Sequence, residues 1–242
     1  MSIWGSLIGG MIGFSLGGPF GMLLGSLLGG KISRSRTAAG FSGVAQGQRM
    51  FALSLIVLSA KLSKVDGQVS KEELIAVKDK LKIPEHELDE VGKIFNKAKE
   101  ESAGYEPYAQ QIAQFYSGNI NVLEEVINVL FYIAESDGQV SSSELRMIEN
   151  ISKIFGLTEK QFLSIKESRK GSDKLNPYVV LESKPDDDLK LIRKKYLDLS
   201  KQHHPDLLLS KGVPQEVIEE SKNKMRAINS AWNQVQKLKK VN

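Results

Sequence analysis

Residues 186–206 read DDDLKLIRKKYLDLSKQHHPD, and the carboxy-terminal part of the chain is organised around this stretch. At about 100° per residue, a helix here has one mainly apolar face. That face collects Leu189, Ile192, Tyr196, Leu199 and His203. The other side is basic, with Lys190, Lys194 and Lys201 clustered and Arg193 at the flank. The pattern predicts a helix that packs on a partner helix through its apolar face and exposes a basic face to solvent.

A second amphipathic stretch runs from Gln215 to Lys240. Its apolar residues recur three and four positions apart, at Met225, Ile228, Trp232 and Val235. Two helices with matching apolar faces and a loop of about a dozen residues predict an antiparallel hairpin. Pro205 belongs in the loop, because a proline inside a helix loses a hydrogen bond and clashes with the preceding turn.

Five pieces of sequence, in order and at consistent spacing, resemble the J domain of DnaJ-type co-chaperones. They are Asn176–Leu181, Ile192–Tyr196, Leu199, His204-Pro205-Asp206 and Ile228–Trp232. The resemblance implies a short first helix and a long helical hairpin. It also implies that His204, Pro205 and Asp206 stimulate ATP hydrolysis by a DnaK-type chaperone, and that the basic helix contacts that chaperone's acidic surface.

The sequence also departs from the usual J-domain pattern. Leu197 and Asp198 stand where basic residues are common, Leu207 follows the tripeptide in place of lysine, and Glu182 replaces a glycine that often ends the first helix. Ordinary structural roles are the alternatives: a loop histidine, a proline that stops a helix, a turn-forming aspartate and a solvated basic face.

Composition limits the remaining classes of function. The 242 residues include no cysteine, which excludes disulfide and thiol chemistry and is consistent with a reducing compartment. From Lys174 onward 14 Lys and Arg stand against 9 Asp and Glu, a surplus of 5. Because no base-stacking motif accompanies this charge, we expect the basic region to bind an acidic protein and no nucleic acid. We also expect no cofactor.

The first 30 residues carry no charged side chain and are rich in Gly, Leu, Ile, Met and Phe. Ile3–Leu28 is long enough to span a bilayer. Glycine recurs every fourth residue, and small residues at this spacing let a second helix approach closely in lipid. The sequence therefore predicts a transmembrane helix that dimerises through Gly9, Gly13, Gly17, Gly21 and Gly25.

Charges beyond this stretch predict its orientation. Lys31, Arg34 and Arg36 follow it, and no positive side chain precedes it, so we expect a single-pass protein whose later residues face the cytoplasm. A cleaved signal peptide and a re-entrant hairpin turning near Pro19 are the alternatives.

The middle of the chain has helical periodicity throughout. We expect an all-α protein with these divisions: an anchor at 1–30, a juxtamembrane linker at 31–47, an all-helical domain of about seven helices at 48–170, and the J domain at 171–242.

An internal repeat lies within this middle domain. Val65–Glu73 matches Ser136–Glu144, offset by 71 residues, and each copy contains Asp-Gly-Gln-Val-Ser followed by a glutamate. Ser and Glu at this spacing predict a capping box at the start of the next helix. The sharper alternative is a divalent metal site formed by hard oxygen ligands, with Asp66 and Glu73 in one copy and Asp137 and Glu144 in the other.

The repeat resembles the TerB-like helical fold of tellurite-resistance proteins, in which paired acidic loops of this sort occur. The order of glycine-rich anchor, TerB-like domain and J domain is similar to that of membrane-anchored DnaJ-like proteins of Gram-negative bacteria. That resemblance implies a non-enzymatic co-chaperone of the bacterial inner membrane that recruits a DnaK-type chaperone to this membrane.

Two rival hypotheses remain. One is a membrane-anchored envelope-stress sensor or scaffold with a weakened J domain, as Leu197, Asp198 and Leu207 would indicate. The other is an enzyme with a metal or hydrolytic site at His203, His204 and Asp206. It is weaker, because the chain has three histidines in all and no cysteine.

Overall fold

The structure, a computed structural model, is all-helical in the part of the chain that it describes, which confirms the predicted fold class. The described residues are 18–27, 43–65, 71–80, 82–101, 103–136, 138–171, 174–215 and 218–241. Within them lie twelve α-helices and one 3₁₀ turn, Glu85–Glu87.

Eight of the described α-helices precede residue 171. They are α1 (Gly18–Leu27), α2 (Gly43–Val65), α3 (Lys71–Lys80), α4 (Leu88–Glu100), α5 (Glu106–Phe115), α6 (Ile120–Ala134), α7 (Ser142–Ile154) and α8 (Glu159–Ser168). The seven from α2 to α8 match the predicted number for the middle domain. Four helices follow, namely α9 (Pro177–Val180), α10 (Leu189–Gln202), α11 (Pro205–Ser210) and α12 (Ile218–Val241).

Two helices, α2 and α6, form the centre of the bundle. Nearly all of their residues are buried, as expected for helices that are apolar on almost every side. They pack against each other, and α4, α5 and α7 pack around α2. These two helices precede the two Asp-Gly motifs, so the sequence repeat places its related helices side by side in the core.

The helices that follow the two motifs begin at equivalent positions, Lys71 and Ser142, 71 residues apart. In the second copy the predicted capping box is present. The Glu144 amide donates to Ser141 Oγ at 3.2 Å, and the Ser141 amide donates to Glu144 Oε2 at 2.8 Å. Such a cap stabilises a helix by about 1 kcal/mol.

Helix α1 is the described part of the predicted membrane anchor, and it packs against α4 and α5 of the bundle. Phe20 and Leu23 are fully buried, and the Phe20 ring meets the Tyr108 ring edge to face at 5.0 Å. The Phe20 amide also donates to Gln111 Oε1 at 3.1 Å. Among the described residues, no helix combines the length and the apolarity needed to cross a membrane.

The predicted hairpin is present, with α10 and α12 packed together and α9 against α12. It has a small apolar core of its own, separate from that of the bundle. Ile192 and Leu199 of α10 are buried against Ile228, Ala231 and Val235 of α12. Leu189, which the periodicity placed on the apolar face, is instead 40% exposed, because it is the first residue of α10.

Candidate functional site

Helix α10 presents the predicted basic face to solvent. The Asp188 side chain caps its first turn, accepting from the Lys190 amide at 3.4 Å. Tyr196 stacks on Trp232 of α12, with ring centroids 5.2 Å apart and planes 10° from parallel, and this pair fixes the helix's rotation. The side facing away from α12 carries exposed basic side chains, which are Lys190, Arg193, Lys194 and Lys201.

The His-Pro-Asp tripeptide is separated from α10 by one residue, His203, and begins the short helix α11. The prediction placed it in an irregular loop; the structure differs because Pro205 occupies the first helical position, where its missing N–H is not needed. His204 caps this helix, with Nδ1 accepting from the Asp206 amide at 3.2 Å. The side chains of His204 and Asp206 are 55% and 86% exposed, so both are open to a partner.

His203, one residue earlier, is buried against the bundle. Its Nε2 lies 3.2 Å from Glu124 Oε2 on α6, and the two side chains are 1% and 5% exposed. The side-chain Nε2 of Gln161, on α8, donates to Glu124 Oε1 at 2.7 Å. His203 and His204 therefore have separate surroundings, one in the protein interior and one at the surface.

Lys224 of α12 extends the same buried polar cluster. Its Nζ donates to Ser164 Oγ at 2.9 Å and to Ser168 Oγ at 3.0 Å, both on α8. Burial lowers the pKa of Lys224 to about 8, although the nearby charge of Glu124 opposes that shift.

Two of the carboxyls near Lys224, those of Glu124 and Glu182, have pKa values displaced in opposite directions. Burial alone would raise the pKa of Glu124, but the hydrogen bond and charge of His203, with Lys224 and Gln161, lower it overall. Burial and the negative charge of Glu124 raise the pKa of Glu182. Glu124 is therefore the carboxylate that this cluster stabilises.

The segment after the tripeptide is anchored in the core of the bundle. Leu208 and Val213 are fully buried there, and Ile218 is nearly so. Gly212 has φ 90°, and a Cβ at this position would stand 2.9 Å from Gly47 Cα of α2. Only a glycine fits this left-handed position and the close approach of the two backbones.

Of the four predicted metal ligands, the structure describes only the side chain of Glu144, so the metal site stays a prediction. Asp66 and Asp137 lie outside the described residues, as does the side chain of Glu73. Glu144 is buried in the capping box of α7. Among the described residues, no group of three or more His, Asp or Glu side chains is arranged to hold a metal.

The predicted dimerisation glycines are placed only in part. Gly9, Gly13 and Gly17 lie outside the described residues, whereas Gly21 and Gly25 belong to α1. The glycine contact between two copies stays a prediction.

The polar cluster at His203 is what sequence reasoning missed, since it had assigned His203 to the apolar face of the hairpin. Asn121 of α6 adds to it, donating from Nδ2 to the Gln202 carbonyl at 3.2 Å across 81 residues of sequence. A signal was nevertheless present: Leu208, Leu209 and Val213 are apolar residues close together in a predicted loop, and a monomeric protein rarely leaves a large apolar patch exposed.

Comparison with known proteins gives two matches to families along the chain. Residues 52–167 match tellurite resistance protein TerB. Residues 1–41 match the co-chaperone DjlA transmembrane domain, which supports a membrane-anchored protein. No solved structure matches the chain significantly.

Several curated relatives, each called co-chaperone protein DjlA, align over most of the chain. The protein of Vibrio parahaemolyticus is 26% identical, over an alignment that covers 86% of this chain and 87% of the relative. The protein of Escherichia coli K12 is 25% identical, over an alignment that covers 99% of each chain. These matches support a DjlA-type co-chaperone with a TerB-like middle region.

Proposed function

We propose that this chain is a membrane-tethered co-chaperone that stimulates the ATPase of a cytoplasmic DnaK-type chaperone and recruits it to the membrane. The observation that carries the proposal is the exposure of His204 and Asp206 beside the exposed basic face of α10. A partner that contacts this face meets the tripeptide at the end of the same helix.

The proposed roles follow the placement of the residues. Lys190, Arg193, Lys194 and Lys201 attract an acidic surface and raise the rate of association. His204, Pro205 and Asp206 then act on the bound chaperone. Tyr196 and Trp232 hold the helices that carry these groups. In this proposal the chain hydrolyses no ATP itself.

The decisive experiment is single-turnover ATP hydrolysis by the organism's DnaK-type chaperone, with the full chain in detergent micelles and with its His204→Gln variant. We expect the native chain to accelerate hydrolysis and the variant to leave it at the rate of the chaperone alone. His86→Gln is the matched control, because His86 is also an exposed histidine but lies in the bundle. It should stimulate fully.

Two outcomes contradict the proposal. Full stimulation by His204→Gln would remove the tripeptide from the mechanism. No stimulation by a correctly folded native chain would favour the envelope-stress sensor or scaffold, a candidate that draws support from the exposure of Leu197 and Asp198 on α10.

The basic face gives a separate test. Replacing Lys190, Lys194 and Lys201 with Glu should slow association with the chaperone by about tenfold at low salt and by less at high salt, because salt screens exposed charges. Stopped-flow association at two ionic strengths measures this. An association rate that salt and charge reversal leave unchanged would exclude electrostatic docking.

Recruitment and topology belong to the same proposal. We infer a single-pass anchor whose carboxy-terminal region faces the cytoplasm, and a homodimer formed through the glycines of the anchor. Flotation of the chaperone with vesicles that contain the chain tests recruitment. Cross-linking of the chain in those vesicles, with and without Gly13→Leu, tests the glycine contact, and unchanged dimer yield would refute it.

A further inference from the structure

We propose that the TerB-like bundle positions the His-Pro-Asp tripeptide, and that Glu124 of α6 is a positioning residue for stimulation of the chaperone. The inference rests on the proposed function and extends it. It gives the bundle a direct role in stimulating the chaperone, in addition to any role in choosing a client.

On the amino-terminal side of the tripeptide, two bundle side chains hold the end of α10. Asn121 donates to the carbonyl of Gln202, and Glu124 meets the ring of His203. The other ring nitrogen, His203 Nδ1, has no hydrogen-bond partner in the described part of the chain. Glu124 is therefore the polar contact that fixes the ring of His203, immediately before His204.

On the carboxy-terminal side, the bundle holds the chain through apolar contacts. Leu208, two residues after Asp206, is buried in the bundle's core together with Val213. The Gly47 and Gly212 backbones touch a few residues further on. The tripeptide is thus a short exposed segment between two points that are fixed to the same bundle.

Fixing both ends has a functional consequence. A loop held by the hairpin alone would have to become ordered when the chaperone binds, and this ordering would oppose the interaction. Here the backbone from Gln202 to Leu208 is held in place while His204 and Asp206 stay open to solvent. The bundle therefore presents the tripeptide in one conformation.

The test uses the full chain in micelles, with Glu124→Ala and the conservative Glu124→Gln. Glutamine retains one acceptor oxygen for either His203 or Gln161, whereas alanine retains none. Ile151→Ala is the matched control, because Ile151 is fully buried in the same core but lies on α7, which packs against α2, α5 and α6 and away from the tripeptide.

Two measurements are made on each variant. Single-turnover hydrolysis over a range of co-chaperone concentrations separates the maximal stimulated rate from the half-saturating concentration. Hydrogen exchange over residues 202–213 reports how often this segment opens, whether or not a chaperone is present.

We expect Glu124→Ala to lower the maximal rate and to speed exchange at 202–213, each by about tenfold, as for loss of a buried hydrogen bond to a charged group. The half-saturating concentration should stay unchanged, because the basic face of α10 is intact. Glu124→Gln should fall between Glu124→Ala and the native chain. Ile151→Ala should lower the thermal midpoint and leave both measurements near their native values.

Unchanged exchange at 202–213 in Glu124→Ala overturns the positioning. So does a loss of stimulation in Ile151→Ala as large as that in Glu124→Ala, which would reduce the role of Glu124 to general stability. If exchange rises in Glu124→Ala but the native chain does not stimulate, the positioning stands and the proposed function fails.

Discussion

The hairpin and the segment that joins its two helices are packed in different cores. Helices α10 and α12 bury Ile192, Leu199 and Ile228 against each other. The joining segment buries Leu208 and Val213 among residues of the bundle. The difference teaches that α10 and α12 share a core of their own, whereas the segment that joins them depends on the bundle for its packing.

The sharpest test of this difference compares two buried truncations, Ile228→Ala and Leu208→Ala. Each should lower the free energy of unfolding by about 2–5 kcal/mol, because both side chains are fully buried. Their local effects should differ. Ile228→Ala should loosen the hairpin around Trp232, whereas Leu208→Ala should open residues 203–213 and leave the hairpin packed.

Hydrogen exchange shows which residues open in each variant. Fluorescence of Trp232 reports the packing of the hairpin once Trp4, the other tryptophan, is replaced with Phe. If Leu208→Ala perturbed the stacking of Trp232 on Tyr196 as much as Ile228→Ala does, the hairpin core and the bundle core would not be independent of each other.

A smaller effect is expected at Lys224, where the hairpin meets the bundle. The lysine has an ordinary pKa of 10.5, and burial lowers it to about 8 in the folded protein. Between these values the unfolded chain binds more protons than the folded one, so the free energy of unfolding rises with pH. The rise amounts to at most about 3 kcal/mol over that interval, and it is absent below pH 8.

Urea unfolding at pH 7.5 and pH 10, for the native chain and for Lys224→Met, isolates this contribution. Methionine does not titrate, so the variant should lack the gain that the native chain shows. Other groups that titrate in this interval contribute to both proteins and cancel in the difference. Equal gains in the two proteins would mean that Lys224 is not buried against α8.

The sequence predicted those features that depend on local pattern. The periods of α10 and α12, the basic face and the Ser141 capping box could all be derived from residues close together in the chain. The contact between Asn121 and Gln202 could not, since it joins positions 81 residues apart that are adjacent only after folding. His203 fitted the apolar face of the hairpin equally well, because periodicity does not identify which neighbour covers that face.

The anchor shows the same limit of local pattern. Composition predicted one apolar span from Ile3 to Leu28, yet its described part, α1, packs on α4 and α5 of the bundle. An apolar helix gains free energy by burial in lipid or in protein, and a hydrophobic pattern does not distinguish the two.

The smallest predicted effect concerns Glu182, at the end of α9, where relatives of the J-domain class often have glycine. Its φ is 52°, in the left-handed region that side chains other than glycine disfavour. Glu182→Gly should therefore raise the free energy of unfolding by about 1 kcal/mol, since relief of the backbone strain outweighs the greater freedom of glycine in the unfolded chain.

Glu182→Ala separates the backbone from the carboxyl group. Alanine retains the strained backbone but removes a carboxyl whose pKa is raised by burial and by the charge of Glu124. If urea unfolding at pH 7.5 shows a gain for glycine and none for alanine, the strain is in the backbone. Equal gains would instead assign the destabilisation to the repulsion between Glu182 and Glu124. Glu182 would then also disfavour the polar cluster that holds His203.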